Sequence, residues 1–356
     1  MDLIVMDTDL KLISVLDTFE SLIWTERYIG YGDFEIYINI SDTILDFLRS
    51  DYYLWLNDSE QTMIIEDTKI ESDVENGNHL IVTGRSLESI LERRIIWNQT
   101  ILSGNFQNGV KKLLDENAIN PSDSNRKIDR LVFKASEDPI ITSLKVEAQF
   151  TGDNLYTAIK TLCEANNIGF KIYLSNDNQF VFQLYSGADR SYDQFANPYV
   201  VFSPKFENII NSNYIKSKKA LKTITLVAGE GEGIDRKRIT VEIPSGAGKG
   251  LDRRELYTDA RDISSEVDGR VLTDEEYTAQ LAQRGTEKLA ENITTESFEG
   301  QVETTRMFKY GEDFFKGDIV QIVNEYGMES KSRITEFIRS ISASGTEAYP
   351  TFVTIE

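Results

Sequence analysis

At 356 residues the chain is too long for one ordinary core, and roughly two to four domains are expected. Its 40% hydrophobic and 10% aromatic residues exclude extended disorder, while its longest apolar runs, such as Leu3 to Met6, are too short for a membrane-spanning helix. A net charge of −21 argues against attraction to a nucleic-acid backbone as the main business, and the acidic start MDLIVMDTDLK is not that of an ordinary signal peptide.

The first segment, 2–15, places apolar pairs on either side of Asp7 and Asp9 and predicts two short strands around an acidic turn. Ser21 to Glu26 reads as a strand, Gly30 and Gly32 as a bend, and Phe34, Ile36, Ile38 and Ile40 alternate as a half-buried strand should. Residues 41–50 predict a helical turn capped by Ser41 or Asp42, with Ile44, Leu45 and Leu48 inward. From Tyr52 comes a three-strand unit: YYLWLN, a turn at 58–61, the long run TMIIEDTKIESDV, a turn at 75–78, and HLIVTG. Leu54 and Leu56 lie on one face and Tyr53 and Trp55 on the other, so both faces need cover.

GRSLESILERRIIW predicts a helix capped by Ser86, with Leu87, Ile90 and Leu91 as its stripe and Arg93 and Arg94 at the negative end of its dipole. A helix over 108–117 has Val110, Leu113 and Leu114 at helical spacing, and 121–129 is a polar loop. Asp153 is the expected cap of a helix ending at Asn167 and Gly169. A hairpin turning at 176–178 follows. Residues 186–199 read as an irregular linker.

Strands return over 206–243. LTDEEYTAQLAQRGTEKLAENI is then the strongest helix, with a capping box between Thr273 and Glu276. Tyr277, Leu281 and Leu289 keep its stripe, and Gly285 within it predicts a close neighbour. The last sixty residues repeat the earlier grammar: strand Ile319 to Val323, a turn on Asn324, Tyr326 and Gly327, a long strand Arg333 to Ile341, a loop 342–350, and a closing strand 351–355. The two stretches read as copies of one small barrel, with two unrelated β-meanders as the alternative.

Catalytic constellations are scarce. The single histidine, His79, reads as a solvent-edge strand position, and the single cysteine, Cys163, as part of a helix's apolar face. One His and one Cys give no usual zinc set. GEGEGIDR (229–236) leads into a strand rather than a phosphate-binding helix, and SGAGKGL (245–251) lacks the spacing of a phosphate loop, so both read as hairpin tips or subunit-contact loops. Among 59 acidic residues no spacing singles out a catalytic pair. Lys216, Lys218, Lys219 and Lys222, like Arg236 and Arg238, read as a solvated face, or more sharply as contacts to an acidic neighbouring subunit.

Together YGDFEIYI, GRSLESILERRII, LVAGEGEGIDRKR, GLDRRELYTDARDIS and YGEDFFKGDIVQIVNEYGMESKSRITEFI resemble the siphophage tail-hub proteins, the Gp37-like tail proteins also described as the amino-terminal part of tail-associated lysins. The resemblance runs from about Tyr31 to Phe352. It implies a β-rich, multidomain α+β fold of the baseplate-hub type: a first tube-like barrel with its helix in 1–104, an α+β insertion in 105–200, and a second barrel with the long helix 273–293 in 201–356. Some strands after 200 are free to complete the first barrel. It further implies a homotrimeric hub at the distal tail tip, with six barrels in a ring around an acidic channel through which DNA passes only transiently. Implied partners are the distal tail protein, the tape-measure protein and receptor-binding or lytic tip proteins, with assembly in the host cytoplasm.

The chain stops at Glu356 directly after its last strand, so the catalytic part of the family description is not expected to transfer. No cofactor, metal or catalytic residue is expected. The runner-up is a tail-associated cell-wall hydrolase, either a peptidoglycan endopeptidase or a carboxylate-based glycosidase, and a third reading is a host-surface binding module. The expected contact residues lie in loops: Gly229, Arg236, Lys249, Arg253, Arg254, Tyr310, Phe314 and Phe315.

Overall fold

A computed structural model of the chain describes residues 2–73, 77–233, 236–267, 270–302 and 307–355, leaving aside the side chains of 73, 210–213 and 295–302. In chain order the elements are β1 (Leu3–Met6), β2 (Leu12–Leu16), β3 (Ser21–Arg27), β4 (Asp33–Asn39), α1 (Asp42–Phe47), β5 (Tyr53–Leu56), β6 (Thr62–Asp73) and β7 (Gly77–Ser86). There follow β8 (Thr100–Asn105), α2 (Phe106–Leu114), β9 (Leu131–Lys134), α3 (Pro139–Ser143), β10 (Lys145–Phe150), α4 (Leu155–Asn166), β11 (Gly169–Leu174) and β12 (Phe180–Tyr185). The rest are β13 (Val201–Phe202), β14 (Ile209–Ser217), β15 (Ile224–Ala228), β16 (Arg238–Glu242), β17 (Glu255–Asp259), β18 (Glu266–Val267), β19 (Arg270–Val271), α5 (Asp274–Ala290), β20 (Thr295–Val302), β21 (Ile319–Val323), β22 (Glu329–Ser342) and β23 (Gly345–Thr354).

Contacts group these elements into two units, each discontinuous in sequence: Met1–Ser89 with Gly169–Ile215 and Ser297–Glu356, and Ile90–Ile168 with Lys216–Glu296. Consecutive stretches divided at 104/105 and 200/201 do not coincide with this grouping. The first unit holds a mostly antiparallel sheet in the order β14-β20-β23-β22-β3-β4-β7-β6-β5-β1-β2, with β21 pairing on β22 and β13 running parallel to β21.

The two meanders anticipated in the sequence each cover a core of their own. Leu3, Leu22, Trp24, Ile36, Leu54, Met63, Leu80 and Val82 fill the first, and Phe202, Phe314, Val320, Ile322, Ile334 and Phe352 the second. Each such fully buried large side chain contributes about 1.5–3 kcal/mol. The 14-residue strand β22 joins the meanders: residues 329–333 pair with β21, while 336–342 pair with β3 across some three hundred residues of chain. Its pairing with β23 shifts register between Ile334 and Glu336, where Thr335 accepts a hydrogen bond from Tyr28 N.

In the second unit β15 is flanked by antiparallel β16 and parallel β17, and α5 packs its Tyr277 and Leu281 onto Val227, Ala260 and Ile263. The expected capping box is present, Thr273 Oγ1 accepting from Glu276 N and the Glu276 carboxylate from Thr273 N. Gly285 is the close approach foreseen: a Cβ there would lie 2.7 Å from Val241 Cγ2 and 2.8 Å from Val227 Cγ2. Val110, Leu113 and Leu114 of α2 and Leu155, Ile159, Leu162 and Cys163 of α4 are buried as expected.

Several local expectations need correction. Ser86 ends β7 and its hydroxyl accepts from Gly32 N, so it caps nothing; a 3-10 helix, Leu87–Arg93, follows. Asn154, not Asp153, caps α4, because its Oδ1 reaches Thr157 N, whereas Asp153 accepts from Thr151 N. Leu45 faces outward on α1. Trp55 stays partly exposed, with its Nε1 donating to Ser59 O. His79 is not at a solvent edge. Set on β7 between β4 and β6, it is buried, stacks on Tyr37 and lies 3.1 Å from Glu20 Oε1. The loop foreseen at 342–350 shrinks to a tight turn because β23 begins at Gly345, with Pro350 opposite Phe337. Residues 186–199 are irregular but tied down: Ala188 O accepts from Ile319 N, and Arg190 N donates to Ile319 O. The turn expected at 75–78 and the tip at 229–236 fall partly outside the described residues.

Candidate functional site

Where the two cores of the first unit meet, charge is buried. Alternation along β3 puts Leu22, Trp24 and Glu26 on one face, and along β22 it puts Phe337, Arg339 and Ile341 on one face, so Glu26 and Arg339 both occupy core-facing register. Arg339 Nη1 donates to Glu26 Oε1 at 2.5 Å and Nη2 to Asp58 O at 2.8 Å. Lys316, from the turn before β21, lies 2.7 Å from Glu26 Oε2, and Tyr310 Oη donates to the same oxygen at 3.2 Å. The Tyr310 ring stacks on Phe337 at 3.7 Å, and the Arg339 guanidinium lies over both rings.

Glu26 is 1% exposed. Burial opposes its ionisation, but the Lys316 and Arg339 charges outweigh that and hold its carboxyl down to about 2. Such a group is neither an acid nor a useful base near neutral pH. Burial also pushes the Tyr310 hydroxyl well above its usual range, and the Glu26 charge adds to this. The arrangement is a clamp: an anion from the first meander gripped by two cations and a phenol from the last eighty residues.

Beside the clamp lies a cavity of about 520 Å³, walled by Glu26, Lys171, Tyr185, Arg190, Tyr310 and Lys316 among others. Four of its other charges pair with one another: Arg190 Nε with Asp318 Oδ2 at 2.7 Å, and Lys171 Nζ with Glu60 Oε2 at 2.6 Å. Glu88 makes a second buried tie, accepting from Ile172 N at 2.9 Å and from the Ser86 hydroxyl. Among the described residues it is in no ion pair, and burial raises its carboxyl above the ordinary value. Among the described residues no cluster of His, Cys, Asp or Glu has a metal-binding arrangement, and no helix is long and apolar enough to cross a membrane.

The loop positions singled out in the sequence do not converge. Gly229 is buried beneath Tyr277, and a Cβ there would strike the Tyr277 hydroxyl. Arg236 is spent internally on Gly229 O, Ala228 O, Tyr257 and Asp259. Lys249, Arg253 and Arg254 are exposed; Arg253 pairs with Glu255, and Arg254 donates to Lys218 O. Phe314 is a packing residue, wholly inside the second core with its edge to Phe202 at 5.4 Å, whereas its neighbour Phe315 is 42% exposed. Of these positions only Tyr310 belongs to the clamp. The sequence reading missed Glu26, Lys316 and Arg339, although a charge at core parity in two strands was a usable signal.

The fold has counterparts among solved structures. The structure aligns with a prophage tail protein gp18 from Listeria monocytogenes EGD-e (TM-score 0.58, 14% identity, covering 99% of this chain and 94% of that one). It aligns equally with a tail protein from Neisseria meningitidis MC58 (0.57, 16%, 99% and 96%) and with the 43 kDa tail protein of prophage MuSo2 from Shewanella oneidensis (0.59, 11%, 99% and 98%). The fold is therefore that of these tail proteins. More narrowly, the family of Siphovirus ReqiPepy6 Gp37-like proteins matches residues 2–352, and the chain belongs to that family. Comparison with curated protein sequences gives no match.

Proposed function

We propose that the chain is a structural subunit of a homotrimeric hub at the distal tip of a siphophage tail, closing the tail tube, joining it to the tip and opening for DNA. Membership of the Gp37-like family over residues 2–352 carries this reading. The face of the first unit's sheet opposite its core supports it: β4 and β6 present Glu35 and Asp67 there, neither in an ion pair among the described residues, while Arg27, Lys69 and Arg85 are matched by Asp33, Glu71 and Glu66. A channel lined by such a face repels the DNA backbone, so the polymer slides rather than sticks.

The role is mechanical rather than catalytic, with the distal tail and tape-measure proteins as neighbours and assembly in the host cytoplasm before incorporation into the virion. Light scattering across protein concentration and salt tests it, with a mass near three times 40.5 kDa expected. A clear zymogram band on host cell walls, lost on replacing one carboxylate, would overturn the structural role.

A further inference from the structure

The cavity beside the Glu26 clamp, at about 520 Å³, falls within the range of about 300–1,000 Å³ typical of small-molecule sites. Its wall includes a buried ammonium with no hydrogen-bond acceptor. The Lys316 side chain is 6% exposed, and its Nζ, although 2.7 Å from Glu26 Oε2, makes no hydrogen bond among the described residues. A buried donor left in that state is unfavourable and calls for an oxygen ligand. Arg190, with a side chain 15% exposed, uses Nε for Asp318 and leaves both Nη groups without an acceptor among the described residues.

The charges indicate which oxygen ligand. Glu26 sets one negative charge against the two positive charges of Lys316 and Arg339, and Arg190 is matched by Asp318, so this buried cluster holds one positive charge in excess. A carboxylate supplies the missing negative charge, with one oxygen for the ammonium and one for the planar fork of the arginine. The exposed part of the wall has the opposite sign. Asp58 is exposed and its carboxylate has no partner among the described residues, while Glu60 is 64% exposed beside Lys171. Tyr185, Tyr310 and the partly exposed Phe315 add ring surface to the same wall.

We propose that this cavity binds a small zwitterion of the amino-carboxylate class. Its carboxylate meets Lys316 and Arg190, its methylene chain lies along the rings, and its ammonium turns to Asp58. A dicarboxylate fits worse, because its second negative charge would face Asp58 and Glu60. Every residue involved belongs to the first unit, and the site does not depend on the trimeric hub.

Ligand-observed NMR titration of the full chain with ε-aminocaproate, caproate, hexylamine and glutarate tests the proposal. The zwitterion should bind best and caproate next, with hexylamine and glutarate weaker than the zwitterion by about tenfold or more. Asp58→Asn changes an exposed carboxylate without a partner, so the fold should be kept, and the preference for ε-aminocaproate over caproate should vanish. Lys316→Met should abolish binding of both carboxylates. Arg190→Lys keeps the charge beside Asp318 but loses the fork, and should weaken both by about tenfold; it carries the comparison where Lys316→Met fails to fold. Affinities unchanged by Arg190→Lys, or hexylamine binding as tightly as caproate, would overturn the carboxylate site. A preference for the zwitterion that survives Asp58→Asn would overturn the orientation proposed for it. No binding of any of these compounds at millimolar concentration would overturn the site as a whole, leaving water as the acceptor for Lys316.

Discussion

Replacing Glu26 by glutamine should be the most damaging isosteric change in the first unit. The variant leaves two cations, Lys316 and Arg339, each with a side chain 6% exposed, facing a neutral amide. Removing one partner of a buried ion pair costs about 3–5 kcal/mol. The carboxyl's displacement gives an independent magnitude: lowering it from 4.5 to about 2 is worth roughly 3 kcal/mol at 1.36 kcal/mol per pKa unit. Because the folded value is depressed, this stability is present above the unfolded value of 4.5 and is lost as pH falls towards about 2. Urea unfolding followed by tryptophan fluorescence, to which Trp24 and Trp55 report from this unit, should show the loss at pH 7 and a shallower decline of stability between pH 4.5 and 2 than in the wild type. A change below about 1 kcal/mol at pH 7, or an unaltered acid limb, would refute the clamp.

Gly285→Ala improves helix propensity by about 1 kcal/mol but drives a methyl into Val227 and Val241, so a net loss of about 1–2 kcal/mol should appear as a lower thermal midpoint of the second unit. Tyr277→Phe removes the hydroxyl that accepts from Glu230 N and donates to Ile263 O, and should cost about 1–3 kcal/mol in urea unfolding. Cys163, whose thiol burial pushes upward, should ignore a thiol reagent in native buffer and react fully once unfolded.

The hairpins were legible because alternation is local. Phe34, Ile36 and Ile38 announce β4, Thr273 with Glu276 announces α5, and Gly285 announces a tight contact. The pairing of β3 with β22 was not, since nothing in SLIWTER specifies a partner near residue 339; the match is made by two core faces meeting. Grouping by contact was hidden for the same reason: the chain leaves the first unit at Ser89 and re-enters it at Gly169 without any change in composition. The clamp was half legible. Arg339 between Phe337 and Ile341 breaks a core-facing pattern, as does Glu26 after Leu22 and Trp24, and opposite charges in two such breaks are each other's natural partners. Lys316 could not have been assigned, because it arrives from a turn with no periodicity to orient it.

The contrast between Glu26 and Glu88 leads to a last prediction. Both carboxyls are buried in the same unit, yet Glu26 is stabilised as an anion by two cations, whereas Glu88 has a hydroxyl and one backbone N–H, and burial raises its pKa. A raised carboxyl destabilises the fold at pH above its folded value, and the penalty is relieved as pH falls through that value. Glu88→Gln should therefore be nearly neutral or stabilising at pH 7 and should flatten a contribution of opposite sign to that of Glu26. Urea unfolding of the two single variants and the double variant across pH 3 to 8 separates them, since a Glu88→Gln loss at pH 7 as large as that of Glu26→Gln would show both carboxylates acting as ion-pair anchors. The asymmetry bears on mechanics. Glu26 ties the cores on either side of β22 with charge that must be desolvated again after each break, while Glu88 holds the β11–β12 hairpin by hydrogen bonds that water replaces cheaply. In the proposed ring, motion that leaves the Glu26 clamp intact is the less costly kind, which puts the opening step at contacts between copies rather than between the two cores of one subunit.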